Sequence, residues 1–161
     1  MLRITPSAVD LEDLKQKLLY QFSLTREEID ILIPPNIIFE ISRNTNRLRF
    51  VYLKDQLWGM IRPNDGFFLF TPNSAQFLIR HVKFPKLRVV VRSDVAEFIK
   101  KGGNVFAKHV VDCDLNLIPY SEVIIVNEED NPLAIGKALL NREEMLAFTA
   151  GVAVKVRKGF G

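Results

Sequence analysis

The sequence predicts an α+β protein in two parts: helices plus an antiparallel meander over 1–84, then a mixed β pseudo-barrel over 85–161. Three observations carry this. Between residues 10 and 22 apolar side chains recur every three or four positions, the spacing of one helix face. From residue 36 the period drops to two, as in strands with one covered face. At Pro85 a strand–helix–multistrand order begins, and small mixed units of that kind form pseudo-barrels that leave few open edges.

The elements follow in order. In "DLEDLKQKLLYQF", Leu11, Leu14, Leu18 and Phe22 line one helix face, with Asp10 or Ser7 as N-cap. Thr25 and Glu28 form a capping-box pattern, which starts a short second helix that "PP" at 34–35 stops. "NIIFEIS", "NRLRFVYLK", "QLWGMIRP" and "GFFLFT" read as four strands joined by turn chemistry, Asp65-Gly66 being the clearest hairpin signal. "PNSAQFLIRHV" reads as a closing helix capped by Asn73 or Ser74. After Pro85, "LRVVVR" is a strand and 93–102 a helix capped by Ser93 and stopped by Gly102. "NVFAKHVVDCD" is a strand. "SEVIIVNEED" and "PLAIGKALLN" pair around "NEEDN". "EEMLAF" is a helical turn that Gly151 ends, and "VAVKVRK" is the closing strand.

Composition narrows the function. No apolar run reaches the roughly 18 residues of a membrane span, and the start has an acidic cluster by residue 10 instead of a signal-peptide core. A cytoplasmic location without membrane contact is expected. The single Cys113 makes no internal disulfide and no multi-cysteine zinc site. The net charge of +3 leans toward a polyanion partner. Basic residues cluster locally: Arg80, Lys83, Lys86, Arg88 and Arg92 lie in an acid-free run, as do Lys155, Arg157 and Lys158 in the tail. Such runs are either an RNA-facing surface or solvated strand ends.

Catalytic constellations are weak. Asp112 and Asp114 have the spacing of metal-binding carboxylates but sit at a strand-to-turn boundary, where aspartate is common. His109 and Cys113 lack a third group to orient a base–nucleophile pair. "NEEDN" lacks the alternating ligands and central glycine of a calcium loop. No catalytic residue, metal or cofactor is therefore expected. Trp58, Phe67 and Phe68 are either core or a docking face, with one of the adjacent phenylalanines pointing away from the local core.

The stretches "RVVV", "FIKKGGNVFAKHV", "EVIIVNEEDNPLAIGKALL" and "GVAVKVRKG" resemble, in order over 86–159, a PUA domain, the RNA-binding pseudo-barrel of many RNA-modifying proteins. "VYLKDQLWGMIRPNDGFFLFTPNSAQFLI" before "FPKLRVVV" resembles the pre-PUA module of archaeal tRNA-guanine transglycosylases, which make archaeosine. In that family these modules grip tRNA, while a large α/β barrel with its own zinc site and aspartates does the chemistry. The resemblance implies a non-catalytic tRNA-binding polypeptide that grips the acceptor-stem region. Its partner would be a separate transglycosylase or archaeosine-synthesis subunit. The alternative is a ribosome- or translation-associated adaptor that binds rRNA and a protein.

In PUA families RNA lies across the helix–strand loop and the closing strand. By that resemblance the leading contact set is Lys100, Lys101, Gly102, Gly103, Asn104 and Lys108, with Val152, Lys155 and Arg157 second. The glycines would let the backbone approach a ligand and expose its N–H groups. Lysines at a helix C-terminus also complement its dipole without any ligand. Phe106 is either a base-stacking platform or core. Arg80, Lys83, Lys86, Arg88 and Arg92 form a third set near the domain junction, with Arg88 and Arg92 expected on one strand face.

Overall fold

The computed structural model describes residues 1–161, which divide into two compact units, Met1–His81 and Val82–Gly161.

In the first unit, β1 (Leu2–Ile4) leads to α1 (Ala8–Gln21) and α2 (Arg26–Leu32). Ser7 caps α1: its hydroxyl accepts from Asp10 N–H at 3.1 Å, and the Asp10 carboxylate accepts from Ser7 N–H at 3.0 Å. Thr25 and Glu28 do the same for α2. The helix ends at Ile33, because a residue before proline is pushed out of the α region. Leu14 and Leu18 turn inward. On the outer side Arg26 reaches Glu12 at 2.6 Å and Asp30 at 3.1 Å, and Lys15 reaches Asp30 at 3.0 Å. The Arg26 hydrogen bond holds the Glu12 carboxyl down at about 2, against an ordinary 4.5.

The expected meander is β2 (Ile38–Ile41), β3 (Leu48–Leu53), β4 (Gln56–Ile61) and β5 (Phe68–Phe70). Pairing is antiparallel throughout, in the order β1-β2-β3-β4-β5. The edge strand β1 was not expected, since three residues carry no readable period. Trp58 and Phe68 are core. Trp58 donates its indole N–H to Leu32 C=O at 2.7 Å, and Phe68 is clamped by the Gln21 amide through both backbone groups. Phe67 points away and lies under the Arg62 guanidinium. The closing helix α3 (Pro72–Ile79) is capped by Thr71, not by Asn73 or Ser74. Proline at the first helical position needs no donor there, so the cap falls one residue earlier.

In the second unit β6 (Arg88–Val91) precedes a 3-10 turn at Ser93–Val95 and α4 (Ala96–Lys100). Ser93 makes no side-chain cap; its N–H donates to Glu128 at 3.0 Å. The expected strand over "NVFAKHVVDCD" is broken into β7 (Val105–Phe106), a 3-10 turn at Ala107–His109, and β8 (Val110–Cys113). Then come β9 (Glu122–Val126), β10 (Pro132–Ala138), α5 (Arg142–Ala147) and β11 (Val152–Gly159). The sheet order is β7-β11-β10-β9-β6-β8, with β6 and β9 parallel and the other pairs antiparallel. The two halves of the broken stretch are thus the two outer strands of one sheet. A three-residue turn joins them, so the sheet must curl until its edges approach. This is the mixed pseudo-barrel, filled by Val89, Val91, Ile99, Val123, Ile125, Ala134, Met145 and Val154.

Candidate nucleic-acid interface

The stretch Lys100–Asn104 is built as a helix stop. Gly102 N–H donates to Ile99 C=O at 2.9 Å and Gly103 N–H to Phe98 C=O at 3.0 Å, the paired bonds of a Schellman motif. Gly102 has φ +100°, and a Cβ on Gly103 would lie 2.2 Å from the Phe98 ring. The helix end therefore requires glycine at 102, while Gly103 leaves room for the Phe98 ring. This corrects one expectation: the two glycine N–H groups are spent inside the turn and are not offered to a ligand. What the loop offers is side chains. Lys101 is exposed and has no ion-pair partner, while Lys100 is half-buried, 3.7 Å from Glu97.

The loop is fastened to the last strand. Lys100 C=O accepts from Gly161 N–H at 3.0 Å, and Asn104 Oδ1 accepts from Val156 N–H at 3.0 Å. The lysine-bearing loop is thereby held against β11, although the two segments lie 52 residues apart. On β11, Lys155 is exposed and unpaired, and Val152 lies opposite Phe106 of β7. Arg157 is anchored by an ion pair to Glu122, whose side chain is 3% exposed. Lys108 is exposed on the turn that follows Phe106. Phe106 is not core: it is 36% exposed and meets the His109 ring edge-on, at 6.2 Å.

Sequence reasoning missed two neighbours. Lys137 of β10 lies directly opposite Lys155, and its ammonium sits 5.8 Å from the centre of the exposed Tyr120 ring. The signal available in the sequence was "GKALL" pairing with "VAVKVR", but strand register decides which lysines face each other.

The third basic set divides. Arg88 is a correction: its side chain is 1% exposed, and its guanidinium binds Asp130 at 3.0 and 3.1 Å and the carbonyls of Val82 and Lys86 at 2.8 Å. All its donor directions are turned inward, so it braces the base of the unit and cannot reach a phosphate. Arg88 and Arg92 do not share a face; Arg92 is exposed and pairs with Asp94. Lys83 is exposed and Lys86 half-buried, both in the second unit. Arg80 is exposed just after α3 in the first.

The acidic and nucleophilic residues have structural work. Asp114 accepts from the N–H groups of Leu87 and Asn116 at 2.8 and 2.9 Å. Asp112 pairs with Arg142 at 3.0 Å. Cys113 is buried, which pushes its thiol pKa up and suppresses the thiolate. His109 packs against Phe106.

Two known families match the chain in succession. Residues 12–85 match the patch-forming domain C2 of tRNA-guanine transglycosylase, and residues 87–160 match the PUA domain. PUA domains are RNA-binding, non-catalytic modules. Over 150 residues the chain is 39% identical to a tRNA-guanine(15) transglycosylase of Methanothermobacter thermautotrophicus, covering 93% of this chain and 23% of that protein. Over 147 residues it is 42% identical to the enzyme of the same name from Methanococcus aeolicus, covering 88% and 22%. The chain thus spans less than a quarter of the length of these curated relatives. A hypothetical protein of Pyrococcus horikoshii has the same fold, with a TM-score of 0.77 at 22% identity over 98% of this chain and 94% of that one. So does a PUA domain protein of Aeropyrum pernix, with a TM-score of 0.71 at 13% identity over 99% and 86%. The chain is a PUA-domain protein with a patch-forming C2 domain, homologous to the C-terminal region of archaeal tRNA-guanine(15) transglycosylases.

Proposed function

We propose that the chain is a non-catalytic RNA-binding protein that grips tRNA at its acceptor-stem region, beside a separate transglycosylase or archaeosine-synthesis enzyme. The observation that carries this is the fastening of the lysine-bearing loop to β11 through Gly161–Lys100 and Val156–Asn104. It gives one basic surface with its backbone hydrogen bonds already made. Lys101, Lys108 and Lys155 have no ion pairs to break before they meet a phosphate. Phosphate contacts of this kind set register, and the Asn104 amide and Phe106 ring supply the closer contacts. The relatives named as tRNA-guanine(15) transglycosylases support tRNA as the RNA.

The test is a titration of unmodified tRNA, with and without its acceptor end, over a salt series. Binding that needs the acceptor end, and that weakens with a shallower salt slope in Lys100→Ala/Lys101→Ala, is expected. Equal weak binding to every RNA would overturn the reading. Tighter binding to rRNA would favour the adaptor alternative. Guanine exchange into tRNA by this chain alone would overturn the non-catalytic part.

A further inference from the structure

Lys137 and Lys155 face each other directly across β10 and β11, with no ion-pair partner for either. Like charges at directly opposed positions destabilise a sheet. The third position in the same row is Glu122, opposite Lys137, and its carboxylate is ion-paired with Arg157. Beside this row stands Tyr120, 64% exposed, with φ +70°. A bulky aromatic residue in the left-handed region is strained, and such strain persists only where the surroundings fix it. Here Tyr120 N–H donates to Ala138 C=O at 2.6 Å, one residue beyond Lys137. The Lys137 ammonium covers one side of the ring at 5.8 Å from its centre.

We propose that Tyr120, Lys137 and Lys155 form a subsite for one unpaired RNA nucleotide. The base stacks on the open face of Tyr120, and the neighbouring phosphate bridges the two ammonium groups. This rests on the RNA-binding reading above and adds to it a place for single-stranded nucleic acid. The chemistry is matched on each count. A ring with a cation over one face offers the other to a base, whatever its identity. Opposed lysines on adjacent strands come close enough to share one phosphate, which removes their mutual repulsion. The strained backbone turns the ring outward instead of into the apolar interior.

The experiment uses the full chain and two fluorescent RNA probes, a blunt duplex and the same duplex with an unpaired four-nucleotide 3′ end. Tyr120→Gly removes the ring and relieves the backbone strain, so its thermal midpoint should not fall. Tyr120→Phe keeps the ring. Tyr120→Gly is expected to lose about tenfold in affinity for the overhang probe and nothing for the blunt one. Tyr120→Phe should bind like the parent, and Lys137→Gln should flatten the salt dependence on the overhang probe only. Parent-like overhang binding by Tyr120→Gly would overturn the subsite while leaving RNA binding intact. Failure of the parent to bind either probe would overturn the RNA-binding reading itself.

Discussion

Substituting Gly159 by alanine tests whether the lysine-bearing loop is seated on the last strand. A Cβ at this position would lie 2.1 Å from Lys100 O, 2.7 Å from Lys100 C and 3.0 Å from Gly102 N. All three are backbone atoms, so no side chain can swing aside. Ordinary contact begins at 3.4 Å, and 3.4 − 2.1 leaves 1.3 Å by which loop and strand must part. That displacement also stretches the 3.0 Å bond from Gly161 N–H to Lys100 C=O beyond hydrogen-bond range. Overpacking costs about 1–3 kcal/mol and the lost bond about 0.5–1.5 more, so a destabilisation of about 1.5–4.5 kcal/mol is expected. Amide hydrogen exchange reads it locally: the Gly161 and Val156 N–H groups should lose protection, and tRNA affinity should drop with them. Gly103→Ala is the control. Its Cβ meets only the exposed Phe98 ring, which can move, so the cost should be smaller. A Gly159→Ala variant with parental stability and a protected Gly161 amide would refute the seating of the loop.

Three further outcomes follow from the same structure. Arg88→Met should destabilise the second unit by about 3–5 kcal/mol, because it leaves Asp130 and two carbonyls without their donor; denaturant unfolding measures this. Trp58→Phe should cost about 1–3 kcal/mol through the unsatisfied Leu32 carbonyl, read by thermal unfolding of the first unit. The Glu12 carboxyl is depressed from 4.5 to about 2 in the folded chain, so its contribution is complete above pH 4.5 and lost as pH falls through about 2. Thermal midpoints over that range should fall less steeply in Glu12→Gln than in the parent.

Local chemistry was legible in the sequence and long-range pairing was not. The Thr25–Glu28 box and the 3.6-residue spacing of Leu14 and Leu18 need only neighbours, and both are in place. The meander, the β9–β10 hairpin and the last strand follow from alternation and turn residues alone. Arg88 misled because its partner Asp130 lies 42 residues away, and a basic run looks the same whether it faces solvent or a buried carboxylate. The break at Ala107–His109 is set by Gly151 C=O, which takes the Ala107 N–H, again from a distant segment. At the candidate site the residue types were visible, but the bonding of the glycine N–H groups was not. Nor was the pairing of Lys137 with Lys155, which depends on a register shifted by a bulge at Ile135–Gly136.

The most direct measurement is crosslinking of tRNA carrying photoreactive bases to the intact chain, followed by identification of the linked peptides. Links are expected in 98–108 and 152–158 of the second unit, and they should disappear in Lys100→Ala/Lys101→Ala. Links confined to the first unit, or unchanged in that variant, would contradict binding through the loop and closing strand.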